Sequence, residues 1–174
     1  MTANRRTTVL IVSAVVFTML LGGIAFAQQA APAPQAMETT TPGTSGIAVK
    51  SGPVTMADID NALASGPVFI EFESKTCTYC KEQRPISDAL AADYQGKVTF
   101  FFADVAESRD LAKYFQVSGV PQINVIAQKA DGGYTYVGKD GSTSSSIAGS
   151  KFLGLTQSDT LKTALDAAVR MRGQ

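Results

Sequence analysis

The hydrophobic pattern divides the chain into three stretches. Residues 9–27, VLIVSAVVFTMLLGGIAFA, form one apolar run preceded by Arg5 and Arg6. Residues 28–53 are rich in Ala, Pro, Thr, Ser and Gly and hold few large apolar side chains. From Val54 onward, short apolar runs alternate with stretches of helical spacing. Thr55 to Asp58 fits a broad capping box, and Ile59 and Leu63 follow on one face, which predicts a helix ended by Gly66-Pro67. Val68–Phe72 reads as a strand buried on both faces. Cys77–Tyr94 carries Ile86, Leu90, Ala91 and Tyr94 at helical spacing, with Pro85 expected to kink the helix. Val98–Phe102 is a second buried strand, and Arg109–Phe115 a short helix. Gly119-Val120-Pro121 turns into a strand at Ile123–Ile126. Asp131-Gly132-Gly133 signals a hairpin with Tyr134–Val137 as its return strand. Residues 138–150 read as a polar loop, expected to be slack, with a cover over part of the domain as the alternative. Thr156 to Asp159 fits the capping pattern again and predicts a last helix through Arg172, with Gly173 past its end. The early order predicts parallel βαβ units, closed by an antiparallel hairpin.

The first two stretches read as an address and a tether. Ala25-Phe26-Ala27 is a small-residue cleavage pattern, so residues 1–27 are expected to be a signal peptide cut before Gln28. Nineteen apolar residues also suffice to span a bilayer, so the alternative is a retained N-terminal membrane anchor. Both readings export the remainder to a periplasmic or other extracytoplasmic location. Residues 28–53 bury too little to fold and are expected to be a flexible linker. The folded domain is expected over residues 54–174.

Composition then narrows the chemistry. Among 174 residues, fifteen Lys and Arg balance fifteen Asp and Glu, and no charge lies between Thr7 and Met37. Without residues 1–27 there are thirteen basic and fifteen acidic residues, a net of −2. No basic excess points to nucleic acid. Histidine is absent, which removes Ser/His/Asp and Cys/His catalysis and the commonest metal ligand.

Cys77 and Cys80, the two cysteines, follow a predicted strand and open a predicted helix. There the helix's unpaired N–H groups and positive end favour a thiolate on the first cysteine. The second lies about one turn on, so the sulfurs can meet and part with little backbone motion. A stapling disulfide over so short a loop gains little chain entropy. A haem site would need His after the second cysteine, where Lys81 stands. Besides a redox pair, the residues leave open that staple and a four-thiolate metal site shared by two chains.

PVFIEFESKTCTYCKEQRP, followed about forty residues later by GVPQ, resembles the thioredoxin superfamily. Glu71 lies six residues before Cys77, and Pro85 five after Cys80. Val120-Pro121 and Gly154 match the family's cis-proline element and a family glycine. The resemblance implies an α/β thioredoxin fold, a central mixed sheet flanked by helices. It implies Cys77 as the attacking nucleophile, Cys80 as the resolving thiol and Glu71 as the acid that moves the proton of Cys80; an edge salt bridge is the alternative for Glu71. Val120 and Pro121, with Tyr79 between the cysteines, would bind the substrate. No metal or cofactor is implied.

Departures bear on the direction of electron flow. Thr76 stands where thioredoxins carry Trp, Thr78-Tyr79 where they carry Gly-Pro, and Phe102 where a lysine pairs with the buried acid. The function implied is an exported thiol:disulfide oxidoreductase that reduces disulfides of extracytoplasmic proteins as a monomer, recharged by a membrane thiol reductase. The alternatives are a disulfide-donating oxidase or isomerase, and a non-catalytic module that holds clients at Val120-Pro121.

Overall fold

The computed structural model describes residues 48–130 and 132–173. The signal or anchor segment expected over 1–27 lies outside the described residues, as does the linker up to residue 47.

In chain order the elements are β1 (Val49–Gly52), α1 (Met56–Ser65), β2 (Val68–Glu73), α2 (Thr78–Asp93), β3 (Thr99–Asp104), α3 (Arg109–Tyr114), β4 (Gln122–Ala130), β5 (Gly133–Val137), β6 (Thr143–Ser144), β7 (Phe152–Leu153) and α4 (Ser158–Arg172). The strands form one mixed sheet in the order β1-β3-β2-β4-β5-β6, with β7 beside β4. β1 and β2 run parallel to β3; β2–β4, β4–β5, β5–β6 and β4–β7 are antiparallel. This is the expected α/β class with a mixed sheet between helices.

The period of two along β2 assigns its side chains to two cores. Val68, Ile70 and Phe72 pack with Ile59 and Leu63 of α1 and Leu111 of α3. Phe69 packs on the opposite face with Phe100 and Phe102 of β3, Leu90 and Ala91 of α2, and Leu161 and Leu165 of α4. Phe69 and Phe100 stack at 4.6 Å between ring centroids. Each such ring contributes roughly 1.5–3 kcal/mol by leaving water. Glu71 falls in the same alternation as Phe69, so the chain delivers a carboxylate to the apolar face beneath α2.

The capping box at α1 forms as the pattern predicts: Thr55 Oγ1 accepts from Asp58 N, and Thr55 N donates to Asp58 Oδ2 at 2.8 Å. Pro85 lies inside α2, which continues to Asp93. Three expectations are corrected. The linker does not extend to residue 53, because Val49–Gly52 is an edge strand paired with Phe100–Ala103. Residues 138–150 are not slack: Thr143 and Ser144 pair with β5, Ile147 packs on the core, and Ser150 is buried. Thr156 does not cap α4, whose N-cap is Gln157 without a side-chain bond. The Thr156 hydroxyl donates instead to Gly154 O at 3.1 Å, and its amide to Gln83.

Candidate active site

β2 ends at Glu73, and a short turn brings the chain to Cys77, the N-cap of α2. The Cys77 backbone is extended (φ −80°, ψ 116°), and its Sγ accepts from Cys80 N at 3.0 Å. That amide is one of the donors a helix start leaves unpaired. Cys77 and Cys80 form a disulfide with their Cα atoms 5.3 Å apart. Cys77 is half-buried, whereas Cys80 is only 3% exposed. An incoming group therefore meets Cys77 first.

The chain returns to this disulfide just before β4. The Val120–Pro121 peptide bond is cis. Val120 O lies 3.5 Å from Cys77 Sγ. Gly154 N donates to Pro121 O at 2.9 Å, and Leu153 of β7 pairs with Gln122. Gly154 has φ +71°, a left-handed conformation that favours glycine. Tyr79, Leu153 and Leu155 remain 60%, 51% and 40% exposed. Together with half-buried Val120 they give the segments around the disulfide an apolar surface.

Glu71 is fully buried. Ser87 of α2 donates to its Oε2 at 2.6 Å, and Oε1 has no hydrogen-bond partner among the described residues. Burial pushes its pKa from the ordinary 4.5 up to about 7; the Ser87 bond and Arg84 pull it down, and the Glu73 and Asp88 carboxylates add to the rise. Desolvation wins because a single hydrogen bond replaces a full hydration shell. Glu71 forms no ion pair among the described residues, so the edge salt bridge that is the alternative role is not made there.

The thioredoxin family model matches residues 51–148. The chain belongs to the thioredoxin family. Curated thioredoxins of several Staphylococcus aureus strains are 36% identical to it over 73 residues, 42% of this chain and 70% of theirs. Among solved structures, a mutant thioredoxin from Halobacterium salinarum matches with a TM-score of 0.54 at 21% identity, covering 73% of this chain and 96% of its own. A chloroplastic thioredoxin z matches with a TM-score of 0.50 at 17% identity, covering 74% and 98%. The chain is thus a thioredoxin-family thiol:disulfide oxidoreductase, and Cys77–Cys80 is its disulfide.

Within this thioredoxin site, the structure brings Cys77, Cys80, Val120 and Pro121 together and lays Glu71 on the sheet face covered by α2. Phe102 is the β3 partner of Glu71 in register. The cation comes from the helix: Arg84 lies 3.7 Å above the Phe102 ring, grips Glu73 through two 2.9 Å bonds and reaches Asp88 and Ser51. Arg84, Ser87, Gln83, Leu153 and Leu155 were not among the sequence candidates. Helical spacing carries a signal for two of them, since Gln83 and Ser87 share the buried face of α2 with Cys80, Leu90 and Ala91.

Proposed function

We propose that the chain is an exported reductase of protein disulfides, with Cys77 as nucleophile, Cys80 as resolving thiol and Glu71 as proton acceptor. The Cys77 thiolate attacks a substrate disulfide, forming a mixed disulfide and releasing one substrate thiolate. Cys80 then gives its proton to Glu71 and attacks the Cys77 sulfur, releasing the second substrate thiolate. The substrate gains two electrons, and the dithiol becomes the Cys77–Cys80 disulfide. A membrane thiol reductase restores the dithiol. Val120 offers its backbone to an extended substrate segment, and Tyr79, Leu153 and Leu155 supply apolar contact beside it.

The observation that carries this reading is the buried Glu71 carboxyl, raised to about 7. The reducing direction needs a base for Cys80 after the first exchange, and a group half-ionised near neutrality can take that proton and return it.

The test is the reduction potential of the Cys77/Cys80 pair, with insulin reduction by dithiothreitol measured beside it. A reductase has a potential near that of thioredoxins, about −270 mV, whereas a strong oxidant lies near −120 mV. Cys77→Ser abolishes the insulin activity; an active variant overturns the assignment. Mass spectrometry of the native protein tests export by finding Gln28 at the N-terminus or the intact chain in membranes.

A further inference from the structure

Gln83 and Ser87 lie one turn apart on the buried face of α2, and both are fully buried. Ser87 Oγ donates to Glu71 Oε2 at 2.6 Å and accepts from Gln83 Nε2 at 3.4 Å. The Gln83 amide also holds the backbone of Thr156. Its Oε1 accepts from Thr156 N at 2.7 Å, and its Nε2 donates to Thr156 O at 3.2 Å. The Thr156 N–H can only donate, which fixes the amide oxygen toward it. Thr156 Oγ1 donates to Gly154 O at 3.1 Å, and Gly154 N donates to Pro121 O at 2.9 Å. A chain of polar contacts therefore runs from the carboxyl on β2, across α2, to the loop beside the cis-proline.

We propose that Gln83 is a positioning residue that couples the loop at 154–157 to the Glu71 carboxyl, so that peptide binding at Val120-Pro121 and the protonation of Glu71 are linked. The proposal rests on the reading of Val120-Pro121 as the peptide groove and of Glu71 as the proton acceptor.

The direction of each bond sets the sign. An ionised Glu71 can only accept, so it turns the Ser87 hydroxyl toward itself and leaves the Ser87 lone pairs for Gln83 Nε2. A proton on Oε2 makes that oxygen the donor and turns the Ser87 hydrogen away from it, toward Gln83 Nε2–H, so that two donors face each other and the bond by which Ser87 steadies the Gln83 amide is lost. The loop is held best when Glu71 is ionised. Linkage is reciprocal, so the peptide binds more tightly to the ionised form. The charged groups on this side of the sheet near Glu71 are Glu73 on β2, Arg84 and Asp88 on α2, and Asp104 on β3. Its cross-strand partners Phe102 and Ile123 are apolar, as are the α4 residues in this core.

The test uses the full chain with its disulfide intact, so that no thiol titrates, and a capped Val/Thr/Ser peptide of about ten residues without ionisable groups. Calorimetry at about pH 5.5 and about pH 8.5 compares wild type with Glu71→Gln, Ser87→Ala and Gln83→Leu. Wild type binds about fivefold more tightly at the higher pH. Glu71→Gln removes that difference and so subtracts the pH response of the surrounding charges. Ser87→Ala and Gln83→Leu remove it as well, and Gln83→Leu weakens binding at both pH values. Wild-type binding that does not change with pH, or a change that persists in both α2 variants, overturns the coupling. Should Gln83→Leu fail to fold, Ser87→Ala interrupts the same chain and carries the test. Resolution rates of the mixed disulfide in Glu71→Gln separate the two readings. Slowed resolution with pH-independent peptide binding keeps the role of Glu71 and removes that of Gln83; unchanged resolution removes both.

Discussion

Ser87, two turns beyond Cys80 on α2, donates a 2.6 Å hydrogen bond to Glu71, the buried carboxyl of β2. Burial drives this carboxyl toward its neutral form, and the Ser87 bond restrains it. The balance leaves the group changing charge at about pH 7, where an acceptor for the Cys80 proton is useful.

The same balance makes Glu71 a stability liability as pH rises. Its folded pKa, about 7, lies above the ordinary 4.5. Below about pH 4.5 the group is neutral in both folded and unfolded chains, and its contribution is fully present. That contribution is lost as pH rises through about 7, by an amount on the order of 3 kcal/mol. Urea melts should show Glu71→Gln matching wild type near pH 4 and exceeding it near pH 8. A variant less stable than wild type at the higher pH contradicts this.

Cys77 and Cys80 differ in exposure, and the two cysteine variants should differ in kind. Cys80→Ser should accumulate mixed disulfides with protein substrates at Cys77, because the second exchange is blocked. Cys77→Ser should accumulate few, because Cys80 is buried. Non-reducing gels and peptide mass spectrometry read the adducts. The opposite distribution reverses the assigned roles.

Arg84 acts on Glu71 through charge and on the fold through Glu73 and Phe102. Arg84→Met retains an unbranched stem but loses the two bonds to Glu73. Stability should fall by roughly 1 kcal/mol, less in high salt, since the Arg84–Glu73 pair is partly solvated. The midpoint of mixed-disulfide resolution should move to higher pH, because Arg84 lowers the Glu71 pKa. A midpoint that moves downward contradicts the electrostatic account.

The parts of this site legible in the sequence are those with local signals. β2 and β3 are apolar runs, Cys77 opens a helix in a recognisable spacing, and Thr55 with Asp58 closes its box within four residues. β1 was hidden because its side chains are mainly exposed, so an edge strand read as linker. β6 and β7 have two residues each, too few for any alternation. Thr156 misled because its hydroxyl is turned to Gly154 O while its backbone is held by Gln83, 73 positions away, so the oxygen that would cap α4 is used elsewhere. Gln83 and Ser87 interrupt the apolar stripe of α2, and only the folded arrangement supplies their partners.

The most direct test of the account is a stopped-flow measurement of both half-reactions across pH, in wild type and Glu71→Gln. Wild-type resolution of the mixed disulfide should accelerate through a midpoint near 7, the pKa to which burial raises Glu71. Glu71→Gln should lose that midpoint and resolve on the order of a hundredfold more slowly, while the first attack by Cys77 stays nearly unchanged. Equal resolution rates in the two proteins at every pH would contradict the account and leave Glu71 a structural residue.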